Sequence, residues 1–233
     1  MSPQICEAIG IRECATLAES PLAASMRKYD AVAFDLLTAL LDSWTLWNSV
    51  AGSPEDGLRW RRRYLEITYG CGAYRPYETL VREAAADAGL PASCAESLEC
   101  RWGELAPWPE APGVLAELAV HLPLGVATNC SRRLGAIAAA RAGNIFKVVV
   151  TAESAGFYKP RPEPYCALLQ ALGTTPERTL FVAGSAADVP GAHQVGMPVF
   201  WHNRIGLPPR DDTKPEFCER SLHRLPAVAL AIE

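Results

Sequence analysis

The feature that most constrains the fold is a series of short apolar runs, each ending in a polar residue and each separated from the next by a helical pattern. Ala31-Val32-Ala33-Phe34 is apolar and partly β-branched, which fits a buried parallel strand better than a helix. The run stops at Asp35, and Thr38 follows. From residue 119 similar runs recur as "LGVATN", "FKVVVTAES", "RTLFVAGS" and "MPVFWHNR", with helical stretches between them. Strands alternating with helices predict a doubly wound α/β core, a parallel sheet covered on both faces. Such sheets gather their chemistry at the carboxyl ends of the strands, and Asp35 falls at such an end.

Residues 44–118 offer no strand candidate. Apolar positions recur at helical spacing in "DGLRWRRRYLEITYG" and "PYETLVREAAADAGL", with turns at Gly70-Cys71-Gly72 and Gly89-Leu90-Pro91. The expected organisation is an N-terminal extension (1–27), a core made of residues 28–43 and 119–233, and an all-helical cap (44–118) inserted after the first strand. Glu7, Arg12, Glu13 and Glu19 interrupt the extension, so it lacks the apolar region of a signal peptide. No apolar stretch is long enough to cross a bilayer, and a cytoplasmic protein is expected. The net charge is −4 and the only basic cluster is Arg61-Arg62-Arg63, which argues against a nucleic-acid partner. Eight scattered cysteines form no CxxC or zinc-like spacing and are expected to be reduced and mostly buried. The four histidines form no ligand cluster, and there is no GxSxG or HExxH.

Four strand-like runs end in residues that could meet at one sheet edge: Asp35; Thr128 with Asn129; Lys159, eight residues after Thr151; and Ser185 with Asp188. Singly, each has an ordinary explanation: a helix cap for Thr128, Asn129 or Asp188, a solvated surface lysine for Lys159. Their joint order carries more. A carboxylate, a hydroxyl, a lysine and a second carboxylate would put a nucleophile, a donor, a fixed positive charge and a second acid in one place.

Motif by motif, the chain resembles the haloacid dehalogenase superfamily. "VAFDLLTALLD" resembles its first motif, with Asp35 as covalent nucleophile; "GVATNCS" the second, with Thr128; "YKPRPEPY" the third, with Lys159; "LFVAGSAADVPGA" the fourth, with Asp188. The resemblance covers about residues 28–231 and implies a Rossmann-like core. Most of the superfamily are magnesium-dependent phosphatases, which need an aspartate two residues after the nucleophile and an acid early in the fourth motif. Here those positions hold Leu37 and Gly184, leaving a hard cation too few oxygens; neither metal nor cofactor is expected. "LRWRRRYLEITYG" and "PVFWHNRIG" instead resemble the metal-free L-2-haloacid dehalogenase branch. That likeness implies Arg61 facing the substrate, Leu65 and Tyr77 in the pocket wall, Tyr165 near the motif lysine, and a homodimer, with Trp44 and Trp47 as interface or core. Leu36, Leu37, Thr38 and Ser185 complete the expected pocket. Arg61 could otherwise be a solvated helix face shared with Arg62 and Arg63.

The implied reaction is displacement at carbon 2 of a small 2-substituted carboxylic acid, through an ester on Asp35 that water then hydrolyses near Asp188 and Lys159. Thr128 and backbone N–H groups after the first two strands would hold the substrate carboxylate. The chain departs from the branch's pattern at Leu37-Thr38-Ala39 and at Ala183-Gly184-Ser185-Ala186-Ala187-Asp188, where an aromatic pair becomes Leu37 and Ala187. On those departures the expected substrate is L-azetidine-2-carboxylate, opened to 4-amino-2-hydroxybutyrate. L-2-haloacid dehalogenation is the alternative, and an inactive binding protein on the same fold is the alternative of another class.

Overall fold

In a computed structural model, residues 27–232 are described; the expected extension, apart from Arg27, lies outside them. Every apolar run anticipated above contains a strand. β1 (Ala31–Phe34), β2 (Leu124–Thr128), β3 (Val148–Thr151), β4 (Thr179–Ala183) and β5 (Val199–His202) pair in parallel with a sixth strand, β6 (Phe217–Glu219). The order is β3-β2-β1-β4-β5-β6. β1, β2, β4 and β5 are buried along their whole length, as strands sandwiched between helix layers must be. β6 was not anticipated; it has three residues, none of them buried, too few for a pattern to show.

Consecutive strands run outward from β1 in both directions, so the strand order reverses at β1 and β4, where α/β sheets open a crevice. The ends of these two strands approach closely at Gly184. A side chain there would collide with the backbone of Thr38 and Ala39, so only glycine lets the turn after β4 pass behind the turn after β1. The position where the resemblance to metal-dependent members calls for an acid is thus taken up by backbone packing.

Between β1 and β2 lie α1 (Ser43–Ala51), α2 (Pro54–Gly70), α3 (Tyr77–Asp87), α4 (Ala92–Cys100) and α5 (Ala111–His121). Ser53 caps α2 by accepting from the Asp56 N–H, Pro54 occupies its first turn, and Glu55 and Asp56 complement the dipole. An aromatic series joins these helices: Trp47 on Trp60 (4.5 Å), Trp47 on Tyr64 (5.6 Å), Tyr64 on Tyr77 (5.4 Å) and Tyr77 on Trp102 (5.8 Å). Trp60 is fully buried and its indole donates to Val81 O. Truncating it to alanine would cost about 3–5 kcal/mol. This packing fixes the roll of α2, and with it the direction of Arg61.

The remaining helices are α6 (Arg132–Ala142), α7 (Ala152–Ala155), α8 (Pro162–Leu172), α9 (Asp188–Gln194) and α10 (Leu225–Ala229). No described helix is long and apolar enough to cross a membrane. Of the six described cysteines, all free, only Cys94 and Cys130 are buried while Cys100, Cys166 and Cys218 are exposed. The expectation of mostly buried cysteines is corrected: these three lie on outward positions of amphipathic elements, where the pattern places solvent-facing residues.

Candidate active site

Three charged groups meet at the carboxyl ends of the central strands, almost out of reach of solvent: Asp35 is 6% exposed, Lys159 3% and Asp188 2%. Lys159 Nζ donates to Asp35 Oδ1 at 2.9 Å and to Asp188 Oδ2 at 3.0 Å. Asp188 Oδ1 accepts from the Tyr165 hydroxyl at 2.7 Å. Asp35 Oδ2 accepts from Thr38 N (3.0 Å), Thr38 Oγ1 (2.6 Å) and Ala39 N (3.3 Å). The two oxygens of the carboxylate therefore differ: Oδ2 is held by three donors, whereas Oδ1 has the lysine.

Burial alone would raise both carboxyl pKa values, because it penalises the charged form. At Asp35 the Lys159 charge and the Thr38 donors outweigh burial and hold the carboxyl below its ordinary range. At Asp188 burial prevails, the Lys159 charge offsets it incompletely, the Asp35 charge adds to it, and the pKa is raised. Burial opposes the charge of Lys159, but the two carboxylates overcome this and raise its pKa. The site thus holds one carboxylate kept ionised and one made more basic, a division suited to nucleophile and general base.

These groups open on a cavity of about 350 Å³. Arg61 reaches it from α2, 8% exposed, whereas Arg62 and Arg63 are exposed; the solvated-face explanation of Arg61 fails. Its guanidinium lies over the Trp44 ring at 4.0 Å and near Trp47 at 5.5 Å, and donates to Ser43 Oγ at 3.0 Å. No carboxylate among the described residues pairs with it, and burial lowers its pKa despite the attraction of Asp35 and the tyrosines.

Of the residues expected from sequence, Asp35, Leu37, Thr38, Arg61, Leu65, Asn129, Lys159, Ser185 and Asp188 line this cavity. Leu36, Thr128, Tyr77 and Tyr165 do not. Leu36 is fully buried in the apolar core. The Thr128 methyl faces Gly135 of α6 and its Oγ1 lies 3.8 Å from Cys130 Sγ, outside the cavity lining. Of the backbone N–H groups after the first strand, those of Thr38 and Ala39 are given to Asp35 itself. Tyr77 stands a layer behind, covered by Tyr64, and Tyr165 acts through Asp188. The Asn129 side chain is spent on the chain carrying the lysine: Oδ1 accepts from Lys159 N at 2.7 Å and Nδ2 donates to Lys159 O at 2.9 Å. Although Asn129 lines the cavity, its side-chain polar atoms position Lys159.

Several wall residues were missed. Leu58 and Tyr69 line the cavity with Arg61 and Leu65; their places on α2 follow a helical stripe, so the spacing could have found them. Trp44 was read as interface or core, yet it faces the cavity beneath Arg61. Leu207, Pro208, Pro209 and Arg210 come from the segment after β5, which carried no signal. Behind the site, Trp108 Nε1 donates to Thr38 O at 3.0 Å and the His202 ring bonds Ala39 O at 2.8 Å.

Comparison with known proteins shows the family. A profile of haloacid dehalogenase-like hydrolases matches residues 11–196. The chain is 30% identical over 204 residues to haloacetate dehalogenase H-2 of Moraxella sp. (strain B), covering 78% of this chain and 89% of that one. It is also 30% identical over 193 residues to (S)-2-haloacid dehalogenase of Xanthobacter autotrophicus, covering 72% and 73%. The solved structure of an L-2-haloacid dehalogenase superposes with a TM-score of 0.78 at 27% identity, over 88% of this chain and 100% of that one. The chain belongs to the haloacid dehalogenase-like hydrolases. It is a hydrolase of the haloacid dehalogenase type.

Proposed function

We propose that the protein is a metal-independent hydrolase that releases halide from carbon 2 of a 2-halocarboxylic acid and yields the 2-hydroxy acid. One observation carries the reading: the cavity places an ionised carboxylate with one oxygen free of backbone donors, Asp35 Oδ1, in the same space as a buried guanidinium without an acidic partner. The first group suits attack on carbon 2, and the second suits the anions of the substrate, its carboxylate and the departing halide. The names of the relatives support a carbon–halogen substrate.

In the first step Oδ1 forms a bond to carbon 2 as the carbon–halogen bond breaks, and halide leaves with the bonding pair. The resulting ester has Oδ2 as its carbonyl oxygen, already held by Thr38 N, Thr38 Oγ1 and Ala39 N. Water then attacks the Asp35 carbonyl carbon and gives a proton to Asp188. Negative charge develops on Oδ2, where those three donors are preorganised to stabilise it. Collapse breaks the bond between Oδ1 and the carbonyl carbon; the alkoxide takes the proton from Asp188, and Asp35, left as a carboxylic acid bearing one oxygen from water, releases the second proton of that water to solvent and returns as a carboxylate.

Ring opening of L-azetidine-2-carboxylate stands second. The neutral wall at Leu37 and Ala187 suits an amine leaving group, but a protonated ring nitrogen beside the unpaired Arg61 is unfavourable. The test offers L-2-chloropropionate and L-azetidine-2-carboxylate separately, with mass analysis of the protein. Chloride release with a transient adduct on Asp35, absent in Asp35→Asn, is expected. Faster turnover of the azetidine would reverse the order of the two readings. No adduct from either would leave only the inactive binding protein.

A further inference from the structure

The same cavity carries a second message, about the size and polarity of what enters it. Its reacting polar groups come from the strand ends and from Arg61 on α2, while Leu58, Leu65 and Tyr69 of α2 and Leu207, Pro208 and Pro209 of the segment after β5 add apolar lining. Two wall positions beside the nucleophile, Leu37 and Ala187, carry no ring, and the space they leave is continuous with this apolar region. A haloacetate has five non-hydrogen atoms; at roughly the 30 Å³ one water takes in the liquid, it fills about 150 Å³. The cavity measures about 350 Å³, so space for roughly six more non-hydrogen atoms remains. An apolar wall around vacant space binds whatever removes the most apolar surface from water.

We propose that the preferred substrates are 2-halocarboxylic acids whose carbon 2 carries, beside the halogen, a bulky apolar substituent of about four to seven carbons, in contrast to haloacetate. The inference rests on the halide reading above and concerns the remainder of the same site. The reacting end is fixed by Asp35, Lys159 and Arg61. The substituent extends between α2 and the segment after β5. Arg62 and Arg210 also line the cavity, but both are exposed, and the Arg210 guanidinium lies over the Tyr69 ring at 4.4 Å. They stand with the equally exposed Pro208 and Pro209 at the rim, outside the half-buried Leu58, Leu65, Tyr69 and Leu207.

The measurement is kcat/KM of the wild-type enzyme for the S enantiomers of 2-bromopropionate, 2-bromobutyrate, 2-bromohexanoate, 2-bromo-3-phenylpropionate and 2-bromosuccinate, read by bromide release. From propionate to hexanoate the expected gain is about fourfold per methylene, the burial of one CH₂ expressed as a ratio, with phenylpropionate comparable to hexanoate. Competitive inhibition by unhalogenated propionate, butyrate and hexanoate should tighten in the same order. Leu58→Trp, which fills the wall, should lower the hexanoate-to-propionate ratio at least tenfold. Bromide release that is fastest from 2-bromopropionate, or fastest from the dianionic succinate, overturns the inference and leaves the halide reading intact. Release from none of the five overturns both.

Discussion

Replacing Lys159 with methionine tests whether one buried cation holds two carboxylates in the site. The ammonium is the shared partner of Asp35 Oδ1 (2.9 Å) and Asp188 Oδ2 (3.0 Å), and all three side chains are buried. Methionine keeps the approximate shape and removes the charge, leaving two adjacent carboxylates in a poorly solvated pocket. Breaking a buried pair in this way costs about 3–5 kcal/mol at neutral pH. The pH dependence gives the sharper signature. In the wild type Asp35 has a depressed pKa, so its contribution is present above the unfolded value of about 4 and is lost as pH falls through the folded value. Asp188 has a raised pKa and works in the opposite sense, stability falling as pH rises from about 4 through its folded value. Lys159, also raised, contributes below its unfolded value and is lost only at alkaline pH. Without the lysine both carboxylates acquire the sense of Asp188, so the variant should lose stability steadily as pH rises. Urea unfolding followed by tryptophan fluorescence at pH 5 and pH 7.5 reads this directly. The variant's midpoint should fall by about 1–2 M at pH 7.5 and by much less at pH 5. An equal deficit at both pH values would refute the argument, since it would mean that the lysine acts through packing and not through its charge.

Trp108→Phe removes the indole donor to Thr38 O, the carbonyl of the peptide whose N–H reaches Asp35 Oδ2 from Ala39; kcat should fall about two- to tenfold with KM within twofold, and steady-state kinetics checks the split. Asn129→Ala loses both bonds to the Lys159 backbone, about 2 kcal/mol together, so a thermal melt should show Tm lower by about 4–8 °C alongside a reduced kcat. Chelators should leave the rate unchanged, because Lys159 Nζ sits between the two carboxylates a divalent ion would bridge, and no cluster of three or more metal-ligating side chains occurs among the described residues; activity restored by magnesium after EDTA would contradict this. Arg61→Met should abolish the stabilisation that a saturating 2-hydroxy acid gives the wild type, about 2.7 kcal/mol at a hundred times Kd, as read in a thermal-shift titration.

Legibility in the sequence followed physical scale. A buried parallel strand must be an apolar run, and the run must stop where the chain leaves the sheet. The position of Asp35 could therefore be inferred from where an apolar pattern ended, whereas Lys159 and Asp188, five to eight residues past their strands, were legible through motif resemblance. Leu58 and Tyr69 share a helical stripe with Arg61 and were within reach of the same logic. Orientation at a strand end was not within reach. Thr128 and Asn129 are adjacent, and nothing local decides that one turns toward Cys130 while the other ties down the lysine's backbone. Nor could any local pattern bring Trp108 to Thr38, 70 residues away, or carry Leu207–Arg210 to the cavity. Those contacts are properties of the assembled sheet and its connections.

Arg61 joins these two levels. A buried guanidinium is costly unless something compensates it, and here the compensation is incomplete: two indole faces, one serine hydroxyl and the distant pull of Asp35. The aromatic series through Trp47, Trp60, Tyr64 and Tyr77 has apolar burial enough to hold α2 in place regardless, so helix packing carries the cost of an unpaired charge. In the proposed function, an anion entering the cavity supplies the missing partner. Charge in a transition state is stabilised best by groups already fixed and desolvated before it appears. An arginine held in this way, opposite a carboxylate whose second oxygen is fastened by three donors, is the arrangement that displacement of an anion from carbon requires.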